Sequence, residues 1–193
     1  MTGRSMGFLD RLLGRSAPAK ADLDQLFAVP DAALTLEAAI GLRPTGLGSV
    51  AFRAVEGGAF AALERDVQAL LDADEGPAVE RSQDSYGYTW LLVRHDSGDV
   101  GGLVTDLHAV NTSLEGQGFG PMLLCSLVGF ADAGRRVALV YLYKRGTFYP
   151  FAPTGAEQRD TTLELQVRGA VGSDLRIEPD LSRWFPVWGA PGL

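Results

Sequence analysis

The chain has 193 residues, 46% of them hydrophobic, with 17 Lys and Arg against 24 Asp and Glu and a net charge of −7. That is enough chain for one sizeable core and favours a single domain, while an acidic surface gains nothing from releasing phosphate counterions and disfavours nucleic acid. The longest apolar stretch, Pro121 to Ala131, falls short of the ~20 residues of a spanning helix.

Residues 1–20 stand apart. Arg4, Arg11, Arg15 and Lys20 against Asp10 make them basic, and Phe8, Leu9, Leu12 and Leu13 fall on one helical face. The N-terminus lacks the central apolar block and the cleavage site of a signal peptide, and Met6 is an alternative start. Ser16 to Lys20, with Pro18, reads as a linker. Beyond it, residues 21–193 read as one domain.

Asp22 to Phe27 suggests a short helix, and a second opens at Pro30-Asp31 and stops near Ile40 at Gly41 and Pro44. Ser49 to Val55 reads as a strand. Ala59 to Ala73 is the clearest helix, with Phe60, Leu63, Val67, Leu70 and Leu71 as its apolar stripe. Ala78 to Arg81 and Tyr86 to Arg94 form a strand pair, the second apolar on both faces at its far end and therefore central. His95 to Asp99 is a turn, and Leu103 to Glu115 a helix with Leu103, Leu107, Val110 and Leu114 inward. Pro121 to Phe130 has no readable period; strand is favoured, in a hairpin with Val137 to Tyr143. Glu157 to Val171 reads as a last helix and Leu175 to Glu178 as a short strand. The sum is α+β, a mainly antiparallel sheet flanked by helices.

Templates for chemistry find little. His95 and His108 are the only histidines, and neither belongs to a metal-binding spacing. Gly46-Leu47-Gly48-Ser49 lacks the order of a nucleophile elbow. Gly116-Gln117-Gly118-Phe119-Gly120-Pro121 lacks the lysine of a phosphate loop, and Pro121 removes an amide donor. The single Cys125 permits no internal disulfide, and in the run Met122 to Val128 it reads as a small buried hydrophobe, in keeping with a cytosolic protein. No catalytic residue, metal or cofactor is expected.

Two stretches suggest recognition. Tyr141 to Gly155 combines a strand, the adjacent cations Lys144 and Arg145, and five aromatics. Either the aromatics fill the core or the stretch presents Tyr143, Lys144 and Arg145 to a partner. Asp180 to Leu193 holds two of the three tryptophans, Trp184 and Trp188, which either lap the core or form an interaction site. The segment carrying Phe8, Leu9, Leu12 and Leu13 suits docking onto a partner or weak contact with an anionic membrane surface.

Met6-Gly7-Phe8-Leu9-Asp10-Arg11-Leu12-Leu13-Gly14, Tyr86-Gly87-Tyr88-Thr89-Trp90 and Asp106-Leu107-His108-Ala109-Val110-Asn111 resemble the PspAB family, associated with phage-shock protein A. So do Gly118 to Phe130, Tyr143-Lys144-Arg145-Gly146 and the tail from Trp188 to Leu193. The resemblance implies an envelope-stress setting in actinobacteria and related lineages, with a PspA-type membrane-remodelling protein and HtpX-like membrane metalloproteases as company. It implies no catalytic residues. The element order is also similar to YbjN-like and secretion-chaperone-like domains, a fold-level likeness. The expectation is a non-enzymatic adaptor or chaperone-like regulator, cytoplasmic or peripheral at the inner face of the membrane. The rival is a small hydrolase with a pocket near Asp106 and His108.

Overall fold

In the computed structural model, which describes residues 21–53, 57–72 and 79–193, the chain enters through a 3-10 turn, Leu23–Ala28. It continues directly into α1, Val29–Ile40, with Pro30 in the first turn, where a missing amide donor costs nothing. Gly41 ends α1 at φ 76°, the left-handed closure that glycine adopts freely. Helix α2, Gly58–Asp72, buries Val67. The side chains of Phe60, Leu63, Leu70 and Leu71, expected in the same stripe, lie outside the described set. So does the segment carrying Phe8, Leu9, Leu12 and Leu13. Helix α3, Val100–Gly116, starts earlier than its apolar spacing suggests, because Asp99 caps it by accepting from the Gly102 amide at 2.9 Å. Helix α4, Thr161–Val171, starts later than expected, at the cap Asp160, which accepts from the Leu163 amide at 2.9 Å.

Six strands form one antiparallel sheet: β1, Arg43–Arg53; β2, Glu80–Gln83; β3, Tyr88–Arg94; β4, Leu123–Ala131; β5, Arg136–Leu142; and β6, Thr147–Phe151. Their order is β2-β3-β1-β4-β5-β6. Two short strands, β7 (Pro153–Gly155) and β8 (Gln158–Arg159), pair separately, and β8 occupies the start of the expected last helix. The fold is therefore a single α+β domain, as its sequence suggests. β4 and β5 pair from Cys125–Leu142 to Ala131–Arg136, the expected hairpin. β4 had no readable period because both of its faces are covered.

The helices pack against one face of the sheet, where Phe52, Leu91, Leu123, Phe130, Leu139 and Phe148 meet Leu26, Leu36, Leu103, Leu107 and Val167. Asn111 of α3 is buried there and donates to Ser126 Oγ at 2.8 Å. The opposite face is covered by the C-terminal segment.

β6 is absent from the sequence reading, and Pro150 explains why. Proline in a strand is tolerated where its missing N–H faces away from the ladder. The outward groups of β6 are otherwise occupied: Phe148 exchanges backbone bonds with Arg176 and Glu178 at 2.8 and 2.7 Å, and the Ala152 amide donates to Glu164 Oε1 at 2.9 Å. Leu175 to Glu178 supplies only a parallel bridge at Ile177 instead of a strand.

Pro44 does not merely stop α1; it lies inside β1, where the register against β4 shifts between Pro44 and Gly48. Gly46 sits in this irregular stretch at φ 76°, and an added Cβ would come within 2.2 Å of the His95 carbonyl oxygen. Gly46→Ala should therefore lower stability by more than ~1 kcal/mol, since both the backbone angle and the space are wrong. Gly134→Ala, with open space around its Cα, should leave stability near the parent. Urea unfolding of both variants checks this.

Candidate functional site: an aromatic groove beside the C-terminal tail

The second face of the sheet presents Ala51, Trp90, Cys125, Leu127, Ala138, Val140, Tyr149 and Phe151. The tail crosses it and contributes Trp184, Val187, Trp188, Ala190 and Leu193. A chain end of this composition needs polar anchors to hold it in register. The strongest is Glu178, which has no exposed surface. Its carboxylate accepts from Arg145 Nε at 3.0 Å and Nη2 at 3.2 Å, from Thr147 Oγ1 at 2.8 Å and from the Asp180 amide at 3.2 Å. Its backbone carbonyl accepts from Trp184 Nε1 at 3.0 Å. Burial pushes the carboxyl up, but the bonds from Arg145, Thr147 and the Asp180 amide outweigh that, so it titrates below the ordinary glutamate value.

Arg159 is a second anchor. Its Nε donates to the buried Glu164 at 2.8 Å, its Nη1 donates to the Trp184 carbonyl at 2.8 Å, and its guanidinium lies 5.0 Å from the Phe151 ring centre. Tyr149 is the third, donating its hydroxyl to the Phe185 carbonyl at 2.7 Å while its ring stacks on Trp184.

The tail leaves part of this face open as a groove of about 450 Å³. Its floor follows a single row of register partners across four strands: Trp90 against Ala51, Ala51 against Cys125, and Cys125 against Leu142. Three strand spacings make that row roughly 14 Å long. One lip is the β2–β3 turn, with Tyr86 68% exposed; the other is the tail, with Phe185 56% exposed. Lys144 and Arg145, from the β5–β6 turn, and Arg183 from the tail bring positive charge to the rim.

The polar atoms of Asp84, Trp90, Tyr149, Arg145 and Arg183 in the lining are already committed. Asp84 accepts from the Tyr86 and Tyr88 amides at 2.9 and 3.0 Å and from Trp90 Nε1 at 2.9 Å. The Tyr149 hydroxyl is spent on Phe185, and burial pushes the Cys125 thiol up to about 12, so it stays protonated. Arg145 is engaged by Glu178 and Arg183 by Asp180, whereas Lys144 is exposed with no ion partner among the described residues. Such a surface attracts apolar groups and anions and offers little for acid–base work.

Of the residues expected from sequence, Lys144, Arg145 and Trp188 meet at this groove. Tyr143 and Trp184 do not present a surface, and that expectation is corrected. Tyr143 is buried on the helix side, where burial and the neighbouring Glu115 push its hydroxyl up to about 12. Trp184 is buried under its bond to Glu178. Sequence reasoning missed Tyr86, Tyr88 and Trp90, whereas Phe185 belongs to the tail aromatics it weighed between core and interface. The signal available was an acidic turn residue, Asp84, beside aromatics at alternate positions.

Asp106 and His108 do not share a pocket. Asp106 bonds His95 Nε2 at 2.8 Å, whereas His108 lies 3.4 Å from Asp24 and 4.8 Å from the Phe27 ring, beside a separate shallow cleft. Asp99 bonds the other nitrogen of His95 at 3.0 Å. Burial lowers the His95 pKa, but the bonds and charges of Asp106 and Asp99 together raise it above 6.5. Among the described residues, no group of three or more His, Cys, Asp or Glu could hold a metal ion, and no helix is long and apolar enough to cross a membrane.

Two outcomes follow from these titrations. The native Glu178 carboxyl lies below its unfolded value near 4.5, so the clamp stabilises above that pH and is lost as pH falls through the native value. Glu178→Ala should unseat the tail at neutral pH and cost about 2–3 kcal/mol, read as acrylamide access to Trp184 and by urea unfolding. The native imidazole of His95 lies above its unfolded value of 6.5, so its contribution is full below that pH and disappears as pH rises through the native value. Asp106→Asn should bring the His95 titration down, measured by NMR of the ring protons, and flatten that pH dependence of stability.

No curated protein and no solved structure is significantly similar to the chain. The family model described as PspA associated protein B matches residues 6–192, nearly the whole length. The chain belongs to the PspAB family.

Proposed function

We propose that this protein is a non-enzymatic adaptor or chaperone-like regulator in a PspA-linked envelope-stress response, and that it works by docking a protein partner in the aromatic groove. The observation that carries this reading is the groove itself: Trp90, Trp188, Tyr86 and Phe185 around an apolar floor, with Lys144, Arg145 and Arg183 at the rim. Trp, Tyr and Arg are the residues that supply most binding energy at protein interfaces. The family description names PspA, which makes a PspA-type protein the first candidate partner and a membrane metalloprotease of the same setting the second. The protein acts from the cytoplasm or the inner face of the membrane, where the segment carrying Phe8, Leu9, Leu12 and Leu13 has its role in docking.

The test is capture of partners from stressed cells with the tagged chain, comparing the parent with Lys144→Glu and Phe185→Ala. Both side chains are exposed, and Phe185 anchors Tyr149 through its backbone alone, so both variants should fold. Each should reduce recovery of a PspA-type or protease partner at least several-fold. Arg145→Glu is a poorer probe, because it breaks the Glu178 clamp. Recovery of no specific protein by the parent, or equal recovery by all three, counts against the reading.

A further inference from the structure

The groove's chemistry restricts what can lie in it, given that the reading above is right and its occupant is a protein. An extended peptide brings a row of backbone N–H and C=O groups, each of which must find a partner when it leaves water. The groove supplies none from its floor. Ala51, Trp90, Cys125 and Leu142 lie on strands β1, β3, β4 and β5, each paired on both sides. The lining side chains Asp84, Trp90 and Tyr149 spend their polar atoms within the protein. Strand addition is therefore ruled out at this floor. A helix satisfies its own backbone and presents only side chains.

The dimensions agree. A floor of roughly 14 Å matches about nine residues of helix at 1.5 Å per residue, enough for apolar anchors at i, i+4 and i+7. A volume of about 450 Å³ holds such anchors and leaves the helix backbone above the lips, between Tyr86 and Phe185. Charge decides the sign of the flanking residues. The chain carries −7 overall; of the rim cations, Arg145 is balanced by Glu178 and Arg183 by Asp180, and the lining carboxylate Asp84 is turned inward onto Trp90 and two backbone amides, so the charge the rim offers is that of Lys144. Lys144 has no ion partner among the described residues.

We propose that the groove is a helix-docking site whose occupant is an amphipathic acidic helix, with bulky apolar anchors on the Trp90–Ala51–Cys125–Leu142 row and a carboxylate at Lys144. The rim rejects a basic helix of the same apolar pattern.

The experiment uses the full chain and three synthetic peptides of about 14 residues. One is an Ala-based helix with Leu and Phe anchors at i, i+4 and i+7 and Glu on the flanking positions. The second has every Glu replaced by Lys, and the third has a central Pro that breaks the helix. Binding is followed by calorimetry and by the fluorescence of Trp90 and Trp188. The acidic helix should bind saturably, with the Lys and Pro versions at least tenfold weaker. Lys144→Glu should weaken the acidic helix about tenfold and narrow its advantage over the Lys version. Equal binding of acidic and basic helices, preference for the Pro version, or no binding by any of the three overturns the proposal. So does self-association of the free chain that occludes the groove, or saturable, Lys144-dependent binding of oleate in place of the peptide. The cell capture separates this inference from the broader reading. A partner that is captured but not displaced by the acidic helix leaves the adaptor standing and removes the helix. If the parent chain captures no partner, the adaptor fails, whatever the peptides do.

Discussion

A carboxylate with no exposed surface, held by a guanidinium, a hydroxyl and an amide, is the interaction on which the second face of this sheet depends. Glu178 is expensive to take out of water, and the position is tolerable only because Arg145, Thr147 and the Asp180 amide together satisfy it. What the arrangement secures is placement. Arg145 lies in the β5–β6 turn, Thr147 opens β6, and Glu178 stands at the root of the tail, so the clamp fixes where the tail begins its path across the sheet. Apolar contact alone would let Trp184 and Trp188 slide over a face of Tyr149, Phe151 and Val140, since burial has no direction.

That placement explains the asymmetry of the molecule. One face of the sheet is closed by helices over its inner strands, with the edge strand β2 left exposed. The other is closed by an irregular segment that is narrower than the sheet, and the uncovered strip becomes the groove. The lining is apolar because it was built as core on the floor side and is rimmed by charge because the clamp brings Arg145 to the edge. The same group thus serves stability through Glu178 and contributes to the electrostatics of the rim, while Lys144, its neighbour, is left free to meet solvent or a partner.

Much of the fold was legible in the sequence. The stop at Gly41, the turn at His95 to Asp99 and the β4–β5 hairpin all carry local signals. β6 was not, because a proline in a five-residue strand reads as a break unless its outward orientation is known. The early start of α3 and the late start of α4 were hidden for a related reason: the periodic apolar residues begin elsewhere, and the caps Asp99 and Asp160 carry the boundary. The site was half legible. Lys144, Arg145 and Trp188 stood out by type, but Tyr143 and Trp184 share those types and point into the core. Only the paths of the β5–β6 turn and of the tail over the sheet distinguish them. Trp90 and Tyr86 were invisible as site residues because their meeting with the tail is a matter of sheet order, separated from it by about a hundred positions.

The groove also has a place in time. Its floor comes from strands completed by residue 142, whereas the tail wall is residues 183–188 and the clamp waits for residue 178. Synthesis proceeds from the N-terminus, so a growing chain exposes Trp90, Cys125, Tyr149 and Phe151 before anything can cover them. Until the tail is seated, that face is a broad apolar surface. The shape of the groove is therefore the last feature this chain acquires.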